Sequence, residues 1–462
     1  MTLSPIASSM LDLIGNTPMV RVRGFDTGCC ELYLKLESQN PSGSIKDRMA
    51  LAMVMAAERD GTLKAGGTIV EATAGNTGLS LALVAGQRGY KLKLVIPDKM
   101  SQEKIFHLRA LGAEVVMTRS DVAKGHPDYY QDKARNLAAA TPDALYINQF
   151  ENPANPAAHE AGTAPEIWEQ LEHRLDAVVC GVGSGGTLTG LGRYFKRVAP
   201  HVAMVLADPK GSVLAPFVEH GAMIAAGHWL VEGIGEDFIP QNCDLSLVKQ
   251  AYTSTDAESI ATSREALRRE GILCGSSSGT LIAAALRYCR AQTAPRRVVT
   301  FVCDSGNKYL SKIFNEYWLD DHGMADRVVA DDLRDLVSRS YRRGQVVSAA
   351  PFETLQQVYA RMRMFDISQV PVIDNGKVVG LIDETDILLA VTGNEKGFGI
   401  AAGKIMTDKL ARLDARQSLT ELLAIFAQNR VACLFDKDQF LGLITPIDLL
   451  SYLRKRAAIV PE

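Results

Sequence analysis

Between residues 65 and 320, short apolar runs rich in β-branched residues alternate with stretches of helical period, and this alternation most constrains what the chain can fold into. GGTIVEA leads into GLSLALVAGQRG, KLKLVIP into SQEKIFHLRALG and then AEVVMT; later DAVVCGVG leads into TLTGLGRYFKRV and VAMVLAD. Strands apolar on both faces must be covered on both faces, and strands separated by a helix run parallel. The pattern therefore predicts an α/β region of parallel sheets flanked by helices. The 462 residues leave room for about three domains of roughly 150 residues each. A formal charge of −3 gives no electrostatic reason to expect a nucleic acid or an acidic membrane as partner. No run reaches the ~18 apolar residues of a membrane span, and no basic residue precedes Arg21 to start a signal peptide. The eight cysteines include no C-x-x-C, Cys29 and Cys30 are adjacent, and the eight histidines have no ligand spacing, so a reduced, cytoplasmic, metal-free protein is expected.

After Trp318 the pattern changes. Residues 326–344 are charged and read as a linker between a region spanning 1–325 and an internal repeat. VVGLIDETDILL (Val378–Leu389) matches FLGLITPIDLLS (Phe440–Ser451), aligning Gly380 with Gly442 and Asp386 with Asp448. Each copy follows an amphipathic helix, carrying Leu355, Val358, Tyr359 and Met362 in one and Leu419, Leu422, Leu423 and Phe426 in the other. Two related α+β units, 345–398 and 399–462, with a cleft between them, follow from this repeat.

The segment NPSGSIKDRMALAMVMAAERDG (Asn40–Gly61) places a lysine where a helix disfavours one. Its turn residues give way to a helix from about Arg48 to Arg59 whose middle has no charge, so Lys46 lies at the start of a buried helix, against the macrodipole. An amine so placed loses its proton easily and suits Schiff-base chemistry; the alternative is a lysine whose head reaches solvent. CGVGSGGTLTG (Cys180–Gly190) is a glycine-rich strand-to-helix turn able to hold an anion on its amides. It also satisfies G-x-G-x-x-G, with Asp208 near the ribose-binding position of a dinucleotide fold, so an NAD-dependent oxidoreductase is a second reading. EATAGNTGLS (Glu71–Ser80) and CGSSSGT (Cys274–Thr280) are two further turns of the same kind. Three such turns and one displaced lysine point to a single anionic ligand held at several strand ends.

NPSGSIKDR, TAGNTG, GSGGT and CGSSSG, in this order, resemble the fold-type II pyridoxal phosphate enzymes of the cysteine synthase and cystathionine β-synthase group. The resemblance runs from IGNTPMVRV (Ile14–Val22) to DSGNKYLSKIFNEYWL (Asp304–Leu319), and SQVPVIDNGKVVGLIDETDI with its repeat resembles a tandem CBS-domain (Bateman) pair. DKMSQEK, DPKGS, VEGIGEDFIP and the C-terminal pair favour the cystathionine β-synthase branch, whereas NQFENPANPAAHEAGTAPEIW leans toward cysteine synthases.

The resemblance implies a tryptophan synthase β-like catalytic region with pyridoxal 5'-phosphate on Lys46. It implies Asn76 at the ring hydroxyl, Gly183, Ser184, Gly185, Gly186 and Thr187 around the phosphate, and Ser277 at the pyridine nitrogen. Thr73, Ala74, Gly75 and Thr77 would bind the substrate carboxylate beside Gln149, with Gly233 and Glu236 also at the substrate. The implied reaction joins L-serine to L-homocysteine, giving cystathionine and water, with Lys46 moving the Cα proton. Cysteine in place of serine would release hydrogen sulfide, and sulfide with O-acetylserine is the cysteine synthase alternative. A homodimer or larger homo-oligomer is implied. In the repeats, Asp386, Thr445 and Asp448 match residues offered to the ribose of an adenosyl effector such as S-adenosylmethionine; alternatively Asp386 and Asp448 cap helices in a purely structural pair. Three departures stand out. The stretch before Gly15 is too short for a heme-binding extension, so no heme is expected, and Glu236 and Phe150 stand where family members often have tyrosine.

Overall fold

The computed structural model describes residues 6–73, 75–98, 102–119, 121–122, 125–324 and 330–459. It contains two compact units, Met1–Phe314 and Asn315–Glu462. The boundary expected at 325/326 lies outside the described residues.

In the first unit the alternating runs form the strands β1 (Met19–Arg21), β2 (Glu31–Lys35), β3 (Thr68–Ala72), β4 (Lys91–Pro97), β5 (Glu114–Thr118), β6 (Ala144–Tyr146), β7 (Ala177–Cys180), β8 (Ala203–Pro209), β9 (Val248–Ser254) and β10 (Arg297–Phe301). They make two sheets. A smaller one has the order β5-β4-β3-β6, and a larger one the order β1-β2-β10-β7-β8-β9. All pairings are parallel except β1 with β2. Every residue of β3 and β7 is buried, as expected for parallel strands covered on both faces. Helices Lys46–Arg59 and Asn76–Arg88 supply Met49, Met53, Val54, Leu79 and Leu81 to the core of the smaller sheet.

Lys46 is the first residue of its helix, and Ile45 before it offers no side-chain cap. Two anchors set the direction of this helix. The Ile45 amide donates to the carbonyl of Cys303 just past β10, at 2.9 Å. Two residues further on, Arg48 points into the protein and meets two carboxylates at once. Its Nε and Nη2 donate to Glu37 at 2.7 and 2.8 Å, and its Nη1 and Nη2 donate to Glu166, both at 2.7 Å. Glu37 also accepts from Thr17 Oγ1 at 2.7 Å, and Glu166 from Lys35 Nζ at 2.8 Å, so the cluster is fully hydrogen-bonded. Burial works against the charge of Glu166, but Arg48 and Lys35 hold its carboxyl down at about 2.

The second unit carries the repeat. In the first copy β11 (Gln369–Asp374) and β12 (Lys377–Asp383) pair antiparallel, and Ala349 bridges to Val372 in parallel. In the second, β13 (Ala411–Asp414), β14 (Ala432–Asp436) and β15 (Gln439–Ile444) repeat this arrangement. Leu355, Val358, Met362, Val370 and Ile382 fill one core; Leu413, Leu422, Leu434 and Ile444 fill the other. Leu333, Leu336 and Val337, from the stretch read as a linker, pack into that second core. Tyr359, Leu419 and Leu423 are exposed although they lie on the predicted apolar stripes, because each helix is covered on one side only by a narrow sheet.

Removing one member of a buried ion cluster strands the others. Arg48→Met is therefore expected to lower the unfolding free energy by about 3–5 kcal/mol, read from denaturant midpoints of cofactor-free protein.

Candidate active site

The glycine-rich turn after β7 runs into the helix Gly186–Val198. Gly185 has φ +85°, which favours glycine, and a Cβ there would lie 2.6 Å from Cys243 Cβ. At Gly186 a Cβ would fall 1.9 Å from Asn155 Oδ1. Close packing, as well as ligand approach, thus demands glycine. Among the described residues, the amides of Gly183, Ser184 and Gly185 donate to no protein acceptor. Free amides at a helix N-terminus form an anion cradle.

Lys46 shares a cavity with this turn. The cavity wall includes Lys46, Asn76, Gly183, Ser184, Gly185, Gly186, Thr187 and Ser277, so the structure brings together every residue expected at the cofactor. Lys46 makes no hydrogen bond or ion pair among the described residues, and burial lowers its pKa against the weaker opposing pull of Cys303, Asp304 and Glu236. An unpaired amine that readily becomes neutral, beside free amides for a phosphate, fits pyridoxal phosphate; these residues would hold its aldehyde and its anion.

The cavity continues outward past Lys46 along Thr73, Gly75, Thr77, Gln149, Gly233 and Glu236, while Ala74 lies outside the described residues. Thr77 Oγ1 donates to Gln149 Oε1 at 2.7 Å, which leaves the amide hydrogens of Gln149 for another acceptor. Phe150, tilted against Phe238 with centroids 5.6 Å apart, lines the same space.

Several residues that shape the site went unnoticed in the sequence. Asn155 Nδ2 donates to Gln149 O and Ser184 Oγ, each at 2.8 Å, joining the substrate loop to the cradle. Asp304 Oδ2 accepts from Asn76 Nδ2 at 2.7 Å and from Tyr309 at 2.6 Å, and Lys308 Nζ donates to Asn76 Oδ1 at 2.6 Å. Asn76 is thus oriented from both ends, with its second amide hydrogen to spare. Glu71 is fully buried at the end of β3 and accepts from the amides of Ala72 and Gln149; burial pushes it up to about 8 against these bonds. His159 begins a π-turn, His159–Thr163, and its ring lies 2.9 Å from Thr163 Oγ1 and 3.3 Å from Thr187 Oγ1. The available signals were DSGNKY for Asp304, Lys308 and Tyr309, and NPANPAAHEAGT for Asn155 and His159. Neither has a spacing that announces its partner.

In the second unit, Asp386 and Asp383 form a reciprocal cap, each accepting from the other's amide at 2.9 Å. Asp448 accepts from Thr445 N and Oγ1 at 2.7 and 2.5 Å, and from Ser338 Oγ. Both aspartates therefore cap their helices. Thr445 and Asp448 also line a cleft with Ser338, Gln369 and Ile447, which Asp386 does not.

A buried lysine facing an amide cradle at the strand ends of a parallel α/β unit defines an enzyme that works through a bound aldehyde phosphate. Residues 10–304 match the family "Pyridoxal-phosphate dependent enzyme", and residues 333–393 and 402–455 match the CBS domain. The chain belongs to the pyridoxal-phosphate dependent enzymes, in the cystathionine β-synthase group. It is 34% identical to a cystathionine beta-synthase of Dictyostelium discoideum, over 97% of this chain and 93% of that protein. Cysteine synthase 1 of Neurospora crassa is 41% identical over 68% of this chain and 85% of its own length. Among solved structures, a hydrogen sulfide-producing enzyme from Fusobacterium nucleatum superposes with a TM-score of 0.62 at 36% identity, covering 66% of this chain and all of that one.

The His159 pKa falls to about 3, through burial first and then the charges of Arg48 and Lys46, so the folded protein keeps the ring neutral. Its contribution is complete above the unfolded value of about 6.5 and is lost as pH falls toward 3, at about 1.4 kcal/mol per pH unit. Native protein is expected to lose about 2 kcal/mol more than His159→Gln between about pH 6.5 and 5, measured as the difference in the pH dependence of unfolding free energy.

Proposed function

We propose that this chain joins L-serine to L-homocysteine with loss of water, and that cysteine in place of serine releases hydrogen sulfide. The reading is carried by the cavity beyond Lys46. Its wall has Thr73, Gly75, Thr77 and Gln149, which we assign to the carboxylate of the first amino acid, and continues to Glu236 and Gly233, leaving room for a second. The similarity to cystathionine beta-synthases over nearly the whole chain, paired repeats included, supports it.

When bound, pyridoxal phosphate supplies an aldehyde for Schiff-base chemistry and an electron sink for the substrate Cα. The residues of the chain do the rest. Thr73, Gly75 and Thr77 with the free amide of Gln149 orient the carboxylate of the first amino acid. Lys46, poorly hydrated and unpaired, takes the Cα proton and returns it at the end. Ser277, in the first turn of the helix Ser276–Arg290 and on the wall of the inner cavity, would meet the pyridine nitrogen with a neutral hydroxyl. Unlike a carboxylate it does not hold that nitrogen protonated, which moderates the sink and favours loss of the Cβ hydroxyl over transamination. No heme or metal takes part in this scheme.

We assign the second unit to regulation or assembly, with the cleft at Thr445 and Asp448 as the place for an adenosyl ligand. In the other copy, the clustered carboxylates of Asp383, Glu384 and Asp386 lie outside this cleft and disfavour a polyphosphate in their own half, where a cationic ligand such as S-adenosylmethionine suits better. The eight unpaired cysteines accord with a cytoplasmic home, and a homo-oligomer is the expected state.

Two measurements test this. Lys46→Ala is expected to fold but to lose its visible absorption and turnover; full activity in the variant would overturn the assignment. Serine with homocysteine is expected to show the larger kcat/KM, and a larger value for O-acetylserine with sulfide would favour a cysteine synthase.

A further inference from the structure

Glu236 directly follows a stretch with two glycines of positive φ, Gly233 at +89° and Gly235 at +86°. At Gly235 a Cβ would fall 2.4 Å from Pro209. The Glu236 amide donates to Ser212 Oγ at 3.1 Å, and its carbonyl accepts from Val213 N at 3.0 Å and from Ser212 Oγ at 3.2 Å. The backbone is therefore anchored while the half-buried side chain lines the cavity that holds Lys46. Its carboxyl has no hydrogen bond or ion pair among the described residues.

The carboxyls of Glu37, Glu71 and Glu166 are hydrogen-bonded within the protein, whereas that of Glu236 is left open to the cavity. The charged groups acting on Glu236 are Asp237, Asp208 and Lys46, with the hydroxyls of Tyr129 and Tyr130 also lining the cavity. Burial first, and then the two aspartates, raise its pKa well above the carboxylate range, and Lys46 offsets only part of this. A ligand that brought a cation to this place would relieve the repulsion and supply the missing partner.

The two substrates of the proposed reaction differ in what they can bring. The first amino acid commits its nitrogen to the cofactor's aldehyde and so has no free ammonium to offer Glu236. The second reacts through sulfur and keeps its α-ammonium. Sulfide, the nucleophile of the rival reading, has no cation at all.

We infer that Glu236 selects an amino-acid thiol as second substrate by receiving its α-ammonium. This inference rests on the serine and homocysteine reading, and it adds to that reading the group that discriminates. Sulfide, or a thiol without an ammonium, gains nothing from this carboxyl, so the preference comes from a contact that only an amino-acid thiol can make.

The test uses full-length enzyme loaded with pyridoxal phosphate, serine as first substrate, and two thiols. One is homocysteine and the other 4-mercaptobutyrate, which is homocysteine without its amino group. In Glu236→Gln, which keeps the shape but cannot pair with a cation, the ratio of kcat/KM for homocysteine to that for 4-mercaptobutyrate is expected to fall at least ten-fold, through the KM for homocysteine. Glu236→Asp, which keeps the charge, should recover part of the ratio, and it reports alone if the glutamine variant does not fold. A ratio within two-fold of native in the variants overturns the inference while serine and homocysteine remain the substrates. Native enzyme that does not use homocysteine overturns the proposed function, and the inference with it.

Discussion

Arg48 is held by two carboxylates that reach it from opposite directions in the sequence, Glu37 ahead of the helix and Glu166 far beyond it. One guanidinium thereby ties the turn that precedes Lys46, the strand that carries Lys35 and the helix that carries Glu166 into one rigid corner. The position of Lys46 is a consequence. Two residues upstream of Arg48, and with the Ile45 amide bonded to Cys303, it has little choice but to begin its helix facing the glycine turn. A point charge on a flexible stem would not do the same, since the paired, two-sided grip uses the planar fork of arginine.

The electrostatics of the cradle follow from this placement. Among the described residues lining the inner cavity, Lys46 is the cation, and it serves the aldehyde, so the phosphate charge is left to backbone amides and a helix terminus. Dipoles fixed by packing need no reorganisation when an anion arrives. The same crowding explains why glycine is required: Asn155 presses against Gly186 and at the same time bonds Ser184 and the Gln149 carbonyl. Cofactor and substrate loops are therefore coupled through one buried amide.

The parallel sheets, the repeat, Lys46 and the three small-residue turns were legible because each is a local pattern: a period, a duplicated string, a charge in the wrong place. What escaped was tertiary. Arg48, at which the predicted helix opens, is buried by partners that spacing cannot reveal. His159 lies in a string quoted only for its family likeness, and the π-turn that brings its ring to Thr187 leaves no mark in composition. Asp304 and Lys308 lie within a recognised motif, but their hold on Asn76 crosses from one sheet to the other. At Asp386 and Asp448, helix capping and ribose binding call for the same residue in the same position, so one string fits both. The capping bonds are present in the fold.

The order of the strands also sets a timetable for synthesis. The four strands of the smaller sheet lie within residues 68–146 and can come together soon after they emerge from the ribosome. The larger sheet cannot. Its strand β2 ends at Lys35, while the neighbour that must lie beside it, β10, begins at Arg297. At about 5–20 residues per second, the nascent chain waits tens of seconds for that partner. During the wait β2 has one open edge, the Ile45 amide lacks the Cys303 carbonyl, and the floor of the cavity does not exist. The wall that Phe301 and Cys303 give to the cavity of Lys46 and the glycine turn therefore exists only once translation of the first unit is nearly done.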